Sequence, residues 1–92
     1  MTEARRTCTI VNQRGLHARA SAKFVGAVAA LPEGCSVRLA KDGNEAVGGS
    51  ILGLMMLGAA KGDSVEVIVA GERAGEVLDQ LCAMIDDGFG ED

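Results

Sequence analysis

The spacing of hydrophobic positions changes period several times along the chain. From Arg6 to Asn12 it alternates in part, with Cys8 and Ile10 on one side and Thr7 and Thr9 on the other, the pattern of a half-buried strand. Gln13-Arg14-Gly15 breaks that pattern. From Ala18 to Leu31 the period becomes helical, because Ala20, Phe24, Ala27, Val28 and Leu31 fall on one stripe, and Pro32 and Gly34 stop the helix. Cys35, Val37 and Leu39 then alternate with Ser36, Arg38 and Ala40, which predicts a second strand. Lys41-Asp42-Gly43-Asn44 carries the Asp-Gly signature of a hairpin turn, and a short strand follows over Glu45 to Val47. Gly48-Gly49-Ser50 opens a compact apolar segment, Ile51 to Leu57, with a second turn region at Gly58 to Asp63. In Ser64 to Ala70, Val65, Val67 and Val69 share one face, and Ile68 opposite them marks an interior strand covered on both sides. After Gly71 a last helix is predicted from Glu72 to Ile85, burying Ala74, Val77, Leu78, Leu81 and Ile85.

The order β-α-β-β-α-β-α predicts an α+β fold, a sheet with helices on one face as its two layers. At 92 residues, positions 1–92 read as one domain, with no internal repeat, linker or low-complexity segment. Hydrophobic residues at 48% and charged residues at 24% are those of a soluble globular chain, not a disordered one. The net charge of −4 and the near absence of aromatics, two Phe and no Trp or Tyr, point away from nucleic acid. The acids gather late, with Asp86, Asp87, Glu91 and Asp92 around Gly88-Phe89-Gly90, a segment that reads as a frayed end. Cys8, Cys35 and Cys82 are odd in number and form no CxxC, so they read as buried free thiols in a reducing compartment. The longest charge-free run, Ala46 to Ala60, has 15 residues and four glycines, whereas a membrane span needs about 20 apolar residues. With Arg5 and Arg6 in place of an apolar leader core, a cytoplasmic protein without membrane insertion is expected.

The one histidine, His17, stands in Asn12-Gln13-Arg14-Gly15-Leu16-His17-Ala18-Arg19, where the first strand gives way to the first helix. The first turn of a helix offers backbone N–H groups without intrahelical partners and a partial positive charge, a setting that stabilises an anion. Arg19 adds forked donors suited to phosphate oxygens, Arg14 adds charge from the loop, and Gly15 allows a tight turn. Imidazole is a good nucleophile near neutral pH. From this local pattern two readings stand, a phosphoryl-accepting histidine and a solvated surface cap. One His and three scattered Cys give no metal-ligand cluster. No G-x-S-x-G and no G-x-G-x-x-G occur, and Gly53 and Gly58 have Walker-like spacing but are followed by Ala59-Ala60. Phosphate would therefore come from another protein, with no cofactor bound.

In a short helix starting after Ser50, Ile51, Leu52 and Met55 fall on one side and Leu54 and Leu57 on the other. Such a helix buries one of these faces, so Leu54 and Leu57 are expected inside and Ile51, Leu52 and Met55 outside, as a partner-binding patch. The other reading is an apolar loop tucked into the core. Ser50 stands where an N-cap belongs. A phosphate on it would add about −1.5 to −2 charges beside the patch.

The segment Gly15-Leu16-His17-Ala18-Arg19-Ala20-Ser21-Ala22-Lys23-Phe24-Val25 resembles the phosphorylation-site segment of HPr, the histidine-containing phosphocarrier family of the bacterial sugar phosphotransferase system. Gly49-Ser50-Ile51-Leu52-Gly53-Leu54-Met55-Met56-Leu57-Gly58 resembles that family's second signature, and Lys61 to Val67 and the final helix also fit. The resemblance covers nearly the whole chain. It implies an open-faced β-sandwich, an antiparallel four-stranded sheet in order 1-4-2-3 with three helices on one face. It implies that His17 accepts a phosphoryl group on Nδ1 from enzyme I, charged by phosphoenolpyruvate, and passes it to an enzyme IIA domain. Arg19 would stabilise that group in transit, Ser50 would be the site of an HPr kinase/phosphorylase, and Ala20, Ile51, Leu52 and Met55 would contact partners. The chain would be a carrier and not an enzyme, and a monomer. Two departures stand out: Ala20 replaces the Pro that many members have, and Gly26 and Gly53 stand near positions where lysines are usual. The second leaves room for a regulatory module of the same family, its nitrogen-related branch.

Overall fold

The computed structural model describes residues 2–91. Four strands, β1 (Glu3–Thr9), β2 (Ser36–Lys41), β3 (Asn44–Val47) and β4 (Ser64–Ala70), form one antiparallel sheet in the order β1-β4-β2-β3. Three helices, α1 (Ala18–Ala29), α2 (Ile51–Met56) and α3 (Ala74–Asp86), cover one face, and a single 3-10 turn follows at Gly88–Gly90. The predicted order of elements and the predicted sheet are therefore both present.

Strand alternation builds the core. Cys8 pairs with Val65, Val37 with Val69 and Leu39 with Val67, and all six are buried beneath the helices. Leu54 of α2, Phe24 of α1 and Leu81, Cys82 and Ile85 of α3 close the core from above with no exposed surface. The open face is mainly polar, with Val47 exposed on its β3 edge and Ile68 at its centre, where Arg5 on β1 and Arg38 on β2 are the register neighbours. Glu3 pairs with both guanidinium groups, at 3.0 and 3.6 Å, and holds the arginine stems on either side of Ile68, which is 1% exposed. The interior-strand reading of Ile68 is explained by that cover.

Several boundaries move. β1 begins at Glu3 and ends at Thr9, where Arg6 to Asn12 was expected. Arg6 lies on the helix-covered face, opposite Val67, and its guanidinium reaches Asp79 of α3 at the rim, which hides the alternation. Ile10 is buried beyond the strand, exchanging backbone hydrogen bonds with Gly62 and Asp63. α1 closes at Ala29, short of Leu31, and α3 opens at Ala74. The β2–β3 hairpin has positive φ at both Asp42 and Gly43, 52° and 84°, as a two-residue turn of the I′ type requires.

The expected fraying of the C-terminal segment is not what the chain does. Phe89 is 3% exposed and Gly88 is buried, because the 3-10 turn folds the aromatic ring into the core. Asp92 lies outside the described residues. Cys8 and Cys82 are buried free thiols as expected, while Cys35 is only partly buried. Burial, and after it the neighbouring Cys82 thiol, pushes Cys8 up to about 12, so it is unreactive at neutral pH.

Candidate functional site

The loop from Asn12 to Leu16 delivers His17. Gly15 adopts φ +62°, and a Cβ on it would fall 2.3 Å from the Ala59 carbonyl oxygen, so no other residue fits this approach. That carbonyl accepts from the Leu16 N–H at 2.9 Å, fixing the loop to residues 59–60. Asn12 is buried, and its Nδ2 donates to the Gly15 carbonyl at 2.9 Å, bracing the same turn from inside. Ser21, also fully buried, donates its hydroxyl to the Leu16 carbonyl at 3.2 Å.

His17 is the N-cap of α1, with extended backbone. Its Nδ1 accepts from the Arg19 backbone N–H at 3.2 Å, an unusual use of imidazole in a position that Ser, Thr, Asp and Asn favour. The first intrahelical bond runs from the Ser21 N–H to the His17 carbonyl at 2.9 Å. In the first turn the N–H groups of Ala18 and Ala20 therefore have no intrahelical partner, and that of Arg19 is met by Nδ1. On the other side of the ring, Nε2 lies 3.1 and 3.0 Å from the two carboxylate oxygens of Glu91. The hydrogen bond with His17 holds the Glu91 carboxyl below its ordinary value. Gln13, Arg14, His17, Arg19, Lys23, Gly90 and Glu91 line an open pocket of about 360 Å³ with three fixed cations in its wall. An anion the size of a phosphoryl group would meet those cations and the helix end together.

The second candidate region is α2. Ser50 caps it, its Oγ accepting from the Gly53 N–H at 2.9 Å. A Cβ at Gly53 would lie 3.1 Å from that Oγ, so this glycine leaves room for the cap. Leu54 is buried and Leu57 half-buried, while Ile51, Leu52 and Met55 are 41%, 68% and 40% exposed. Met56, at 77% exposed, extends the patch and was missed from the periodicity; its i,i+4 relation to Leu52 was the available signal. Ala20 must be corrected. It has no exposed surface, being turned into the core beside Phe24, and presents no side chain to a partner. The largest omission in reading the sequence was Glu91, whose place depends on the buried Phe89 and not on any local motif. Among the described residues, no group of three His, Cys, Asp or Glu could hold a metal.

The family description "PTS HPr component phosphorylation site" matches residues 4–87. The chain belongs to the HPr family. It is similar to the phosphocarrier protein HPr of Pseudomonas aeruginosa, with 43% identity over 84 residues covering 90% of this chain and 91% of the relative. It also resembles the phosphocarrier protein NPr of Shewanella violacea, 35% identical over 91 residues and 99% and 98% of the two chains. Among solved structures it resembles HPr-C-His from Thermoanaerobacter tengcongensis, with a TM-score of 0.86, 33% identity and 100% and 99% coverage. As an HPr-family member it is a phosphocarrier of the phosphotransferase system. Among the described residues, no helix is long and apolar enough to cross a membrane.

Proposed function

We propose that His17 is the phosphoryl acceptor, taking the group on Nδ1 from phosphorylated enzyme I and passing it to an enzyme IIA domain. The observation that carries this reading is the Nδ1 atom facing the Arg19 N–H at the open first turn of α1, inside a pocket walled by Arg14, Arg19 and Lys23. A phosphoryl group on Nδ1 replaces a lone pair that now accepts one N–H with negative oxygens that accept several. Stabilisation from fixed donors and charges needs no reorganisation at the moment of transfer. Arg19 supplies a side-chain charge that stays on the group as it moves between the two histidines. Ile51, Leu52, Met55 and Met56 form the docking surface, and the chain acts as one domain, a monomeric carrier that is not itself an enzyme.

Incubation with phosphoenolpyruvate and a bacterial enzyme I should add one phosphoryl mass that acid removes. His17→Ala should abolish that addition, and retained labelling in this variant would remove His17 from the role. Ser50 is the second modification point in this reading, for an HPr kinase/phosphorylase. Its hydroxyl caps the helix that carries the patch, so a phosphate would place negative charge beside the apolar contacts. The likeness to NPr along nearly the whole chain favours a second reading, a regulatory module of the nitrogen-related branch. Sugar uptake unaffected by His17→Ala in the host would select it.

A further inference from the structure

We propose that Glu91, seated by Asn12, is the positioning carboxylate of the acceptor imidazole, holding a proton on Nε2 so that Nδ1 keeps the lone pair that takes the phosphoryl group. The proposal rests on the reading of His17 as the acceptor. Its first support is that two independent partners demand the same tautomer. An ionised carboxylate only accepts, so the ring nitrogen 3.0–3.1 Å from its oxygens must be a donor. The Arg19 N–H only donates, so the nitrogen facing it must be an acceptor. A neutral imidazole satisfies both in one way, with hydrogen on Nε2 and a lone pair on Nδ1.

The second support is how the carboxylate is held. Asn12, 2% exposed, donates from Nδ2 to Glu91 Oε1 at 3.2 Å as well as to the Gly15 carbonyl. The same side chain thus braces the loop that carries His17 and the carboxylate that faces it. Phe89 anchors the segment in the core, and Lys23 Nζ donates to the Phe89 carbonyl at 2.8 Å. The Glu91 side chain is 15% exposed and the His17 side chain 20%, so the pair is shielded far more than a surface ion pair.

During transfer the Nδ1 electron pair forms the new N–P bond. The bond from phosphorus to the donor's imidazole nitrogen breaks, and its electron pair returns to the donor. No proton moves: hydrogen stays on Nε2, and the ring acquires a positive charge that faces the Glu91 carboxylate. Arg14, Arg19 and Lys23 in the same pocket wall oppose that charge, which makes the single carboxylate matter. Onward transfer reverses the bond changes and restores the neutral ring.

The test compares the full chain with its Glu91→Ala and Glu91→Gln variants by nitrogen-15 NMR of the imidazole and by the rate of phosphorylation from enzyme I. The parent should show an Nε2-bound proton protected from solvent exchange. Glu91→Ala should speed that exchange and slow phosphorylation, each by about tenfold. Glu91→Gln, which keeps an acceptor oxygen without the charge, should recover the protected proton but only part of the rate. An unchanged proton signal, or a phosphorylation rate within twofold of the parent in Glu91→Ala, overturns the proposal. Matching unfolding midpoints would show that the variants fold alike, since Glu91 follows the last helix. Labelling of His17→Ala would instead remove the reading underneath, a failure visible without any Glu91 variant.

Discussion

Gly15 shows how one residue without a side chain sets the position of another. Its positive φ and the Ala59 carbonyl in the space a Cβ would occupy both act against any replacement. Gly15→Ala should lower stability by about 2–3 kcal/mol in urea unfolding and displace His17 enough to slow phosphorylation. A midpoint equal to the parent's would mean that the loop relaxes away from residues 59–60 at no cost. Glu91 gives a second prediction at this scale, in its response to pH. Its carboxyl is held below the ordinary value first by the His17 hydrogen bond and, against some desolvation, by Asn12. A lowered carboxylate stabilises the state that holds it, fully so above the unfolded pKa, and loses that contribution as pH falls through the folded value. The Gly90 and Glu91 amide resonances should therefore keep their docked positions above the ordinary carboxylate range and move toward random-coil positions in acid. Glu91→Gln should remove this acid-linked movement. His17 was legible as a candidate in the sequence because the lone imidazole at a strand-to-helix junction near Arg19 left two readings, and the resemblance of its segment to the HPr phosphorylation site chose between them. Glu91 was not, since its partner lies 74 positions away and nothing local distinguishes it from the other late acids.

At the scale of an element, α2 separates a buried face from an exposed apolar one within six residues. Leu54 faces the core with no exposed surface, and Ser50 satisfies an N–H that the short helix would otherwise leave bare. Ser50→Ala should cost about 1 kcal/mol, measured by urea unfolding. Leu52→Glu changes a side chain 68% exposed, so stability should shift by no more than about 0.5 kcal/mol. Its affinity for enzyme I should nonetheless fall at least tenfold, because a charge buried without a partner at an apolar contact is costly. Equal affinity, read by calorimetry, would move the docking surface off this helix. The two faces of α2 were readable from periodicity because Ser50 fixed its phase. Met56 escaped because a helix that ends at that residue offers no following turn to complete the pattern. In β1 the reverse happened: Arg6, turned to the helix-covered face and tied to Asp79, interrupts an alternation that the register makes continuous from Ala4 to Cys8.

Across the whole molecule, the site is assembled from two segments far apart in the sequence. Asn12 to Arg19 supplies the imidazole and the helix terminus, and the segment after α3 supplies the carboxylate. The sheet order was implied by family resemblance, and the core followed from alternation in β2 and β4, but the closing of the last segment onto His17 depends on Phe89 finding the core, with Asn12 holding Glu91 and Lys23 the Phe89 carbonyl. Phe89 holds φ +58°, a left-handed conformation that a bulky residue adopts only where its surroundings enforce it. Its burial against the core is that enforcement, and Gly88 and Gly90 on either side, both at positive φ, let the chain reverse around it. Removing the ring should therefore do two things together. Phe89→Ala should lower stability by about 3 kcal/mol through the lost burial. It should also release Glu91 from His17, so that the Nε2 proton exchanges and phosphorylation slows as in Glu91→Ala. Hydrogen exchange at the Gly90 and Glu91 amides, now bonded to the Asp87 and Gly88 carbonyls, reports the release directly. Faster exchange with undiminished phosphorylation would separate the chain end from the chemistry and leave Phe89 a purely structural anchor.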